Sequence, residues 1–112
     1  MTQASDQAGL ATMDLTDDQF EMAAELFAVL AAPMRLRIIR SICSAEKNVS
    51  ELLQDVKTTQ PNISQHLNTL YKAGILGKRR SGTQIFYRII DQRVTSLCRS
   101  VYAQMVVKDE TK

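Results

Sequence analysis

The chain has 112 residues, 45% of them hydrophobic and 23% charged, which fits one small globular domain and excludes disordered or repeat architectures. Met1 to Leu15 holds neither Lys nor Arg nor a long apolar run, so no signal peptide or membrane span is expected and a cytoplasmic protein is. Net charge is only +2, yet residues 1–34 carry six acids and no base, while Lys57 to Arg99 carries eight bases against Asp91 alone, a division common in polyanion-binding proteins.

Residues 1–14 are rich in Ala, Gln, Ser, Thr and Asp and show no hydrophobic period, which predicts a flexible N-terminal tail. A domain is expected over residues 15–107. It opens on a capping box, with Thr16 as N-cap, Gln19 at N3 and Leu15 stapled on Phe20. The helix that follows runs to about Ala31 and is apolar on two sides. In so small a chain, one of those sides predicts a second subunit. Pro33 opens a second helix whose Leu36, Ile38, Ile39, Ile42 and Cys43 are expected inside. Asn48-Val49-Ser50-Glu51 is a further capping box and starts a short helix to Val56.

Thr59 then caps a helix that Gly74 ends. Its apolar Ile63, Leu67 and Leu70 make one narrow stripe, while Thr59, Gln60, Asn62, Ser64, Gln65, His66 and Asn68 turn amides, hydroxyls and an imidazole outward. Such groups both donate and accept hydrogen bonds and are not repelled by phosphate, so they suit base edges in a major groove. Taken alone, the same segment also reads as a solvated polar face. The short capped helix before it completes a helix-turn-helix. Beyond Gly74 the period becomes that of a two-stranded hairpin, Ile75–Arg80 and Gln84–Ile89, closed by Ser81-Gly82-Thr83. Its basic tip is expected to bring Lys78, Arg79, Arg80 and Thr83, with Lys72 and Arg88 nearby, to phosphates or to the minor groove beside the major-groove site. Asp91 caps a last helix through about Val107, where Val94, Leu97, Cys98, Val101, Tyr102 and Met105 form one stripe. Residues 108–112 are expected to fray.

The fold class read here is mainly α with a small β-hairpin wing (α+β), in the order ααααββα. That order, with Ala32-Pro33-Met34-Arg35-Leu36-Arg37-Ile38-Ile39, Gln60-Pro61-Asn62-Ile63-Ser64-Gln65-His66-Leu67, Lys72-Ala73-Gly74-Ile75-Leu76 and Phe86-Tyr87-Arg88, resembles the ArsR/SmtB family of bacterial winged-helix repressors. The resemblance covers about residues 17–107. It implies a homodimer joined through the first and last helices, which carry Phe20, Ala24, Phe27, Val94, Leu97, Val101 and Met105. It also implies a double-stranded DNA operator with an inverted repeat, and release from DNA by an inducer.

The sensing part of the resemblance is thinner. Family metal sites on the last helix use acids and histidines, of which this chain keeps Asp91, with Arg93, Gln104 and Val107 at the matching positions. The Cys-x-Cys motif of some members is replaced by Glu46-Lys47-Asn48-Val49, so neither a metal site nor another cofactor is expected. Persulfide-responsive members pair a cysteine of the second helix with one of the last. Here Arg40 stands at the first of those places, and Cys98 lies about ten residues, or roughly 15 Å of helix, before the second. Cys43 and Cys98 are thus expected as small buried hydrophobes, with a thiol sensor as the alternative. His66 is expected to contact DNA or pack a helix. No phosphate loop or nucleophile–His–acid set is present, so an enzyme is not expected; a winged-helix protein-interaction adaptor is the rival of another class.

Overall fold

The computed structural model describes residues 3–110, and the side chains of residues 7–106. The elements follow in the order α1 (Gln3–Ala11), α2 (Asp17–Leu30), α3 (Pro33–Cys43), β1 (Lys47–Asn48), α4 (Val49–Asp55), α5 (Gln60–Lys72), β2 (Leu76–Ser81), β3 (Gln84–Ile89) and α6 (Gln92–Glu110). This is a winged helix-turn-helix, with α4 and α5 as the paired helices and the β2–β3 hairpin as the wing.

Local chemistry sets the helix starts. The Thr16 hydroxyl accepts from the Gln19 N–H at 3.2 Å, and the Gln19 amide oxygen accepts from the Thr16 N–H at 2.9 Å. Asn48 and Glu51 repeat the exchange at 2.9 and 3.0 Å. Thr59 accepts from the Asn62 N–H at 3.3 Å, and Asp91 Oδ1 from the Arg93 N–H at 3.0 Å. Each cap satisfies a backbone donor that the first helical turn leaves open. At the other end of α5, Gly74 takes a φ of 80°; its N–H reaches the Tyr71 carbonyl at 3.0 Å, and the Ile75 N–H reaches Leu70 at 3.1 Å. That paired closure is a Schellman motif, and it turns the chain directly from α5 into the wing.

The core forms where these elements converge. Ile38, Ile39 and Ile42 of α3, Leu52 of α4, Ile63, Leu67 and Leu70 of α5, Ile75 and Leu76 at the wing base, and Val94 and Cys98 of α6 are buried together. Burying a Leu or Ile side chain fully contributes about 1.5–3 kcal/mol, so α5 is held by its underside while its outer side is free of packing duty. The sheet is antiparallel in the order β1-β3-β2, and the hairpin pairs Leu76 with Ile89 through Ser81 with Gln84. Gly82, with a φ of 64°, and Thr83 are the two loop residues, so the turn is tighter by one than the expected three-residue closure.

Several expectations are corrected. The N-terminal tail contains a helix, Gln3–Ala11. Its Ala, Gln and Leu residues favour helix by propensity alone, and among the described side chains residues 7–15 are all exposed, so no buried face over that stretch imposed a period. Residues 1 and 2 of that tail, like 111 and 112 of the frayed end, lie outside the described residues, and α6 continues to Glu110 rather than ending near Val107. The sheet gains β1, whose two residues are too short to show alternation. Cys43, expected inside, is exposed: at 100° per residue it lies on the line of Leu36, at the edge of the arc centred on Ile38, Ile39 and Ile42. Val94, expected at a subunit interface, is 0% exposed in the core of its own subunit, because it sits in the first turn of α6 and joins the core cluster that also holds Ile75 and Leu76.

Candidate nucleic-acid interface

The outer side of α5 sorts its polar residues into two groups. Gln60, Ser64, Gln65 and Asn68 are exposed, and their side chains make no hydrogen bond among the described residues. Gln60, Ser64 and Asn68 follow one another at intervals of four, and the exposed Lys72 extends the line. The others are engaged inside the subunit. Asn62 is half-buried and donates through Nδ2 to the Thr58 hydroxyl at 2.8 Å, bracing the turn between α4 and α5. Thr59 is occupied as the helix cap. His66 is half-buried and accepts at Nδ1 from Arg35 Nε at 3.2 Å. Of the seven side chains expected to face DNA on this helix, three therefore act first as local supports. A lone sequence gives no sign of this for His66, since its partner lies 31 residues away.

The wing divides its cations in the same way, because side chains alternate along a strand. Lys78 stands over the Tyr71 ring of α5, 4.2 Å from its centroid, and ties the wing to the helix it flanks. Arg79 points to the opposite face, where its Nε donates to Glu46 Oε1 at 2.7 Å and its guanidinium lies 4.9 Å from the Phe86 centroid. The Arg79 guanidinium holds the Glu46 carboxyl below the usual carboxylate range, and Glu46 in turn raises Arg79. Arg79 thus reaches the interface already neutralised. Arg80 is exposed and, among the described residues, bonds only its own turn, Nε to the Gly82 carbonyl at 3.2 Å; Lys72, Thr83 and Arg88 are exposed too.

A second network braces the α3–α4 corner behind this surface. Asp55 Oδ2 accepts from the Ser41 hydroxyl at 2.6 Å and from Lys47 Nζ at 2.5 Å, so α3, β1 and α4 share one carboxylate. Lys47 and Ser41, in that order, hold the Asp55 carboxyl below its ordinary range. At the start of α6, Asp91 receives Arg93 through both Nε and Nη2, at 3.0 and 2.6 Å. Its lowered pKa follows chiefly from that side-chain contact. The one acid retained from the family's metal pattern is therefore held by a cation of its own helix.

Away from the basic surface, α2 and α6 present apolar side chains to the outside. Phe20, Met22 and Phe27 are 58, 58 and 56% exposed, and Val101 and Met105 are 47 and 59% exposed. Ala24 is exposed and Leu97 half-buried. Between these helices Phe27, Leu30, Leu36, Leu97, Val101 and Tyr102 line an apolar cleft of about 340 Å³ that also reaches Cys98. Met22 lies on the other side of α2, where it lines a second cleft with Leu26, Val29, Ala73 and Ile75. Near the first cleft, burial and then the Cys98 thiol push the Cys43 thiol up, against a smaller opposing effect of Arg99. The Tyr102 hydroxyl is pushed up to about 12, first by burial and then by the neighbouring Cys98 thiol.

No helix among the described residues is long and apolar enough to cross a membrane. Residues 32–78, from the start of α3 into the wing, match the profile described as bacterial regulatory protein, arsR family. An HTH-type transcriptional regulator of Methanocaldococcus jannaschii is 39% identical over 85 residues, covering 75% of this chain and 96% of that protein. The HTH-type transcriptional regulator KmtR of Mycobacterium tuberculosis is 39% identical over 74% of this chain, which spans 64% of its length. Among solved structures, the transcriptional repressor BigR from Xylella fastidiosa superposes with a TM-score of 0.68 at 32% identity, over 80% of this chain and 95% of that one. A homodimeric winged helix-turn-helix DNA-binding domain from Mycobacterium bovis, a possible ArsR-family regulator, does so with a TM-score of 0.69 at 26% identity, over 88% and 92%. The chain belongs to the arsR family of bacterial regulatory proteins, DNA-binding transcriptional regulators built on the winged helix-turn-helix.

Proposed function

We propose that the protein is a cytoplasmic repressor that binds an inverted-repeat operator as a homodimer and leaves it when an inducer acts. The observation that carries this reading is the exposed line Gln60, Ser64 and Asn68 with Gln65 beside it, backed by a fully buried underside and continued by Lys72. An amide presents a donor and an acceptor side by side, the pattern needed for a bidentate contact with an adenine edge. Lys72, Lys78 and Arg80 supply phosphate contacts, which set register without reading sequence. The exposed apolar sides of α2 and α6 support the dimer, and the two copies of α5 then present themselves to successive major grooves about 34 Å apart.

The test is an anisotropy titration of the protein on its own upstream duplex and on a random duplex, repeated across salt concentrations. Tight binding to the first, about a thousand-fold or more above the second, is expected. Gln65→Ala should cost about 1–3 kcal/mol in that discrimination, whereas Lys72→Ala should weaken both duplexes alike. Equal affinity for the two duplexes removes the repressor reading and favours a protein-interaction adaptor. A thiol-responsive inducer would act through Cys43, which is exposed, with Cys98 close by. The upward shift keeps Cys43 a thiol near neutrality, and the thiolate is the reactive form, so this version is the weaker one. Cys43→Ser should abolish oxidant-induced release if it holds.

A further inference from the structure

Arg35 makes two contacts that point in different directions. Its Nη1 donates to the Val29 carbonyl at 2.8 Å, and its Nε donates to His66 Nδ1 at 3.2 Å. Val29 lies in the last turn of α2, where carbonyls have lost their helical donors. The donor that would come next along the chain is residue 33, and Pro33 has no N–H. Arg35 fills that vacancy with a cation at the negative end of α2, where the helix dipole favours one. The same planar guanidinium then reaches the middle of α5, at the residue next to the exposed Gln65. Because His66 accepts at Nδ1, its neutral ring carries the proton on Nε2. A single rigid group, itself half-buried, thus spans from the end of α2 to the recognition helix.

We propose that Arg35 is a positioning residue for DNA recognition, fixing the angle between α2 and α5 and thereby the spacing of half-sites that the dimer accepts. This rests on the reading of α5 as the base-reading helix and of α2 as part of the dimer. In that arrangement α2 is fixed to the partner subunit and α5 to the DNA, so any slack between them lets the two reading heads drift apart. Lys at position 35 reaches one acceptor or the other, never both with one planar fork. Asn at position 66 keeps an acceptor near the place of Nδ1, and Leu at 66 keeps bulk without one.

The experiment uses the wild-type protein to select duplexes from a random-sequence pool. Affinities of wild type, Arg35→Lys, His66→Leu and His66→Asn are then measured on the selected duplex and on the same duplex with one base pair inserted between its half-sites. One pair shifts a half-site by about 3.4 Å and turns it by about 35°. Wild type and His66→Asn should lose about thirty-fold on insertion, while Arg35→Lys and His66→Leu should lose less than about three-fold, with about ten-fold weaker binding to the selected duplex. A role confined to stability would lower Tm and leave the insertion penalty unchanged, and that result overturns the proposal. So does a His66→Asn variant that behaves like His66→Leu. Should Arg35→Lys fail to fold, the two His66 variants decide. Failure of wild type to select any duplex counts against the repressor reading itself, and is distinct from a wild type that selects well while all variants keep its penalty.

Discussion

Two helices of this protein carry apolar stripes that look alike in sequence and end differently in the structure. In α5 the three stripe residues, Ile63, Leu67 and Leu70, are each 0% exposed. In α6 the stripe begins equally buried at Val94 and Cys98, then emerges: Val101 and Met105 are about half exposed, as are Phe20 and Phe27 of α2. The first stripe is completed by its own subunit, through α3, α4 and the wing base. The second outlasts the subunit and needs another surface to cover it. A period of 3.6 residues therefore says that a helix has an apolar side and says nothing of which chain provides the cover.

The sharpest way to break this contrast is to cut the two stripes in turn. Leu67→Ala removes a fully enclosed side chain beneath the recognition helix and should cost about 2–5 kcal/mol in urea unfolding, with DNA binding lost in proportion to folding. Phe27→Asp should act differently. Since Phe27 is largely exposed in the subunit, its loss should move the stability of the monomer by less than about 0.5 kcal/mol. It should weaken self-association by about 2 kcal/mol or more, roughly thirty-fold, as measured by sedimentation at several concentrations. If Phe27→Asp instead unfolded the chain and left any dimer intact, the division between an inward α5 and an outward α2–α6 face would be wrong.

Much of this arrangement is legible in sequence because the signals are local. Capping boxes at Thr16 and Asn48, the Thr59 cap, Gly74 after α5 and the Gly82 turn each rest on residues within a few positions of one another, and each is found. The candidate site is legible at the level of its face and less so residue by residue. His66, Asn62 and Arg79 belong to the right surface, yet their side chains are held by Arg35, Thr58 and Glu46. Two of those partners are more than 30 residues away, beyond any spacing rule. α1 was illegible for the opposite reason: its described side chains, those of residues 7–11, are all exposed, and a helix face that is not buried leaves no periodic trace. Val94 shows the ambiguity of the α6 stripe in a single residue, since its place in the period is the same as that of Val101 while its burial is not.

A smaller effect is expected where α6 begins. The Asp91 side chain is 11% exposed, caps the helix and is paired with Arg93, which depresses its pKa in the folded state. A depressed carboxylate contributes stability that is fully present above its unfolded pKa, about 3.9, and is lost as pH falls through the lower folded value. Below about pH 4 the wild type should therefore lose part of its stability through this group. Asp91→Asn retains a capping oxygen without the charge, so its stability near pH 7 should fall by about 1 kcal/mol and its acid slope should be shallower. Thermal unfolding followed between pH 7 and pH 3 checks both, and parallel curves for the two proteins would show that Asp91 does not gain from Arg93.

The wing offers the finest version of the same contrast, between neighbours on one strand. Arg79 and Arg80 are adjacent, both exposed and both basic, and a charge count treats them alike. Alternation separates them: Arg79 faces Glu46 and Phe86, while Arg80 shares the face of Lys78, which lies over Tyr71 of α5. Each phosphate contact contributes about 0.9 to the slope of log affinity against log salt on duplex DNA. Arg80→Gln should flatten that slope by close to this amount. Arg79→Gln should leave it nearly unchanged, because the positive charge removed is one that Glu46 already offsets. Equal flattening by the two variants would mean that DNA draws Arg79 away from Glu46, and in that case Glu46→Gln should tighten binding at low salt by releasing the arginine in advance.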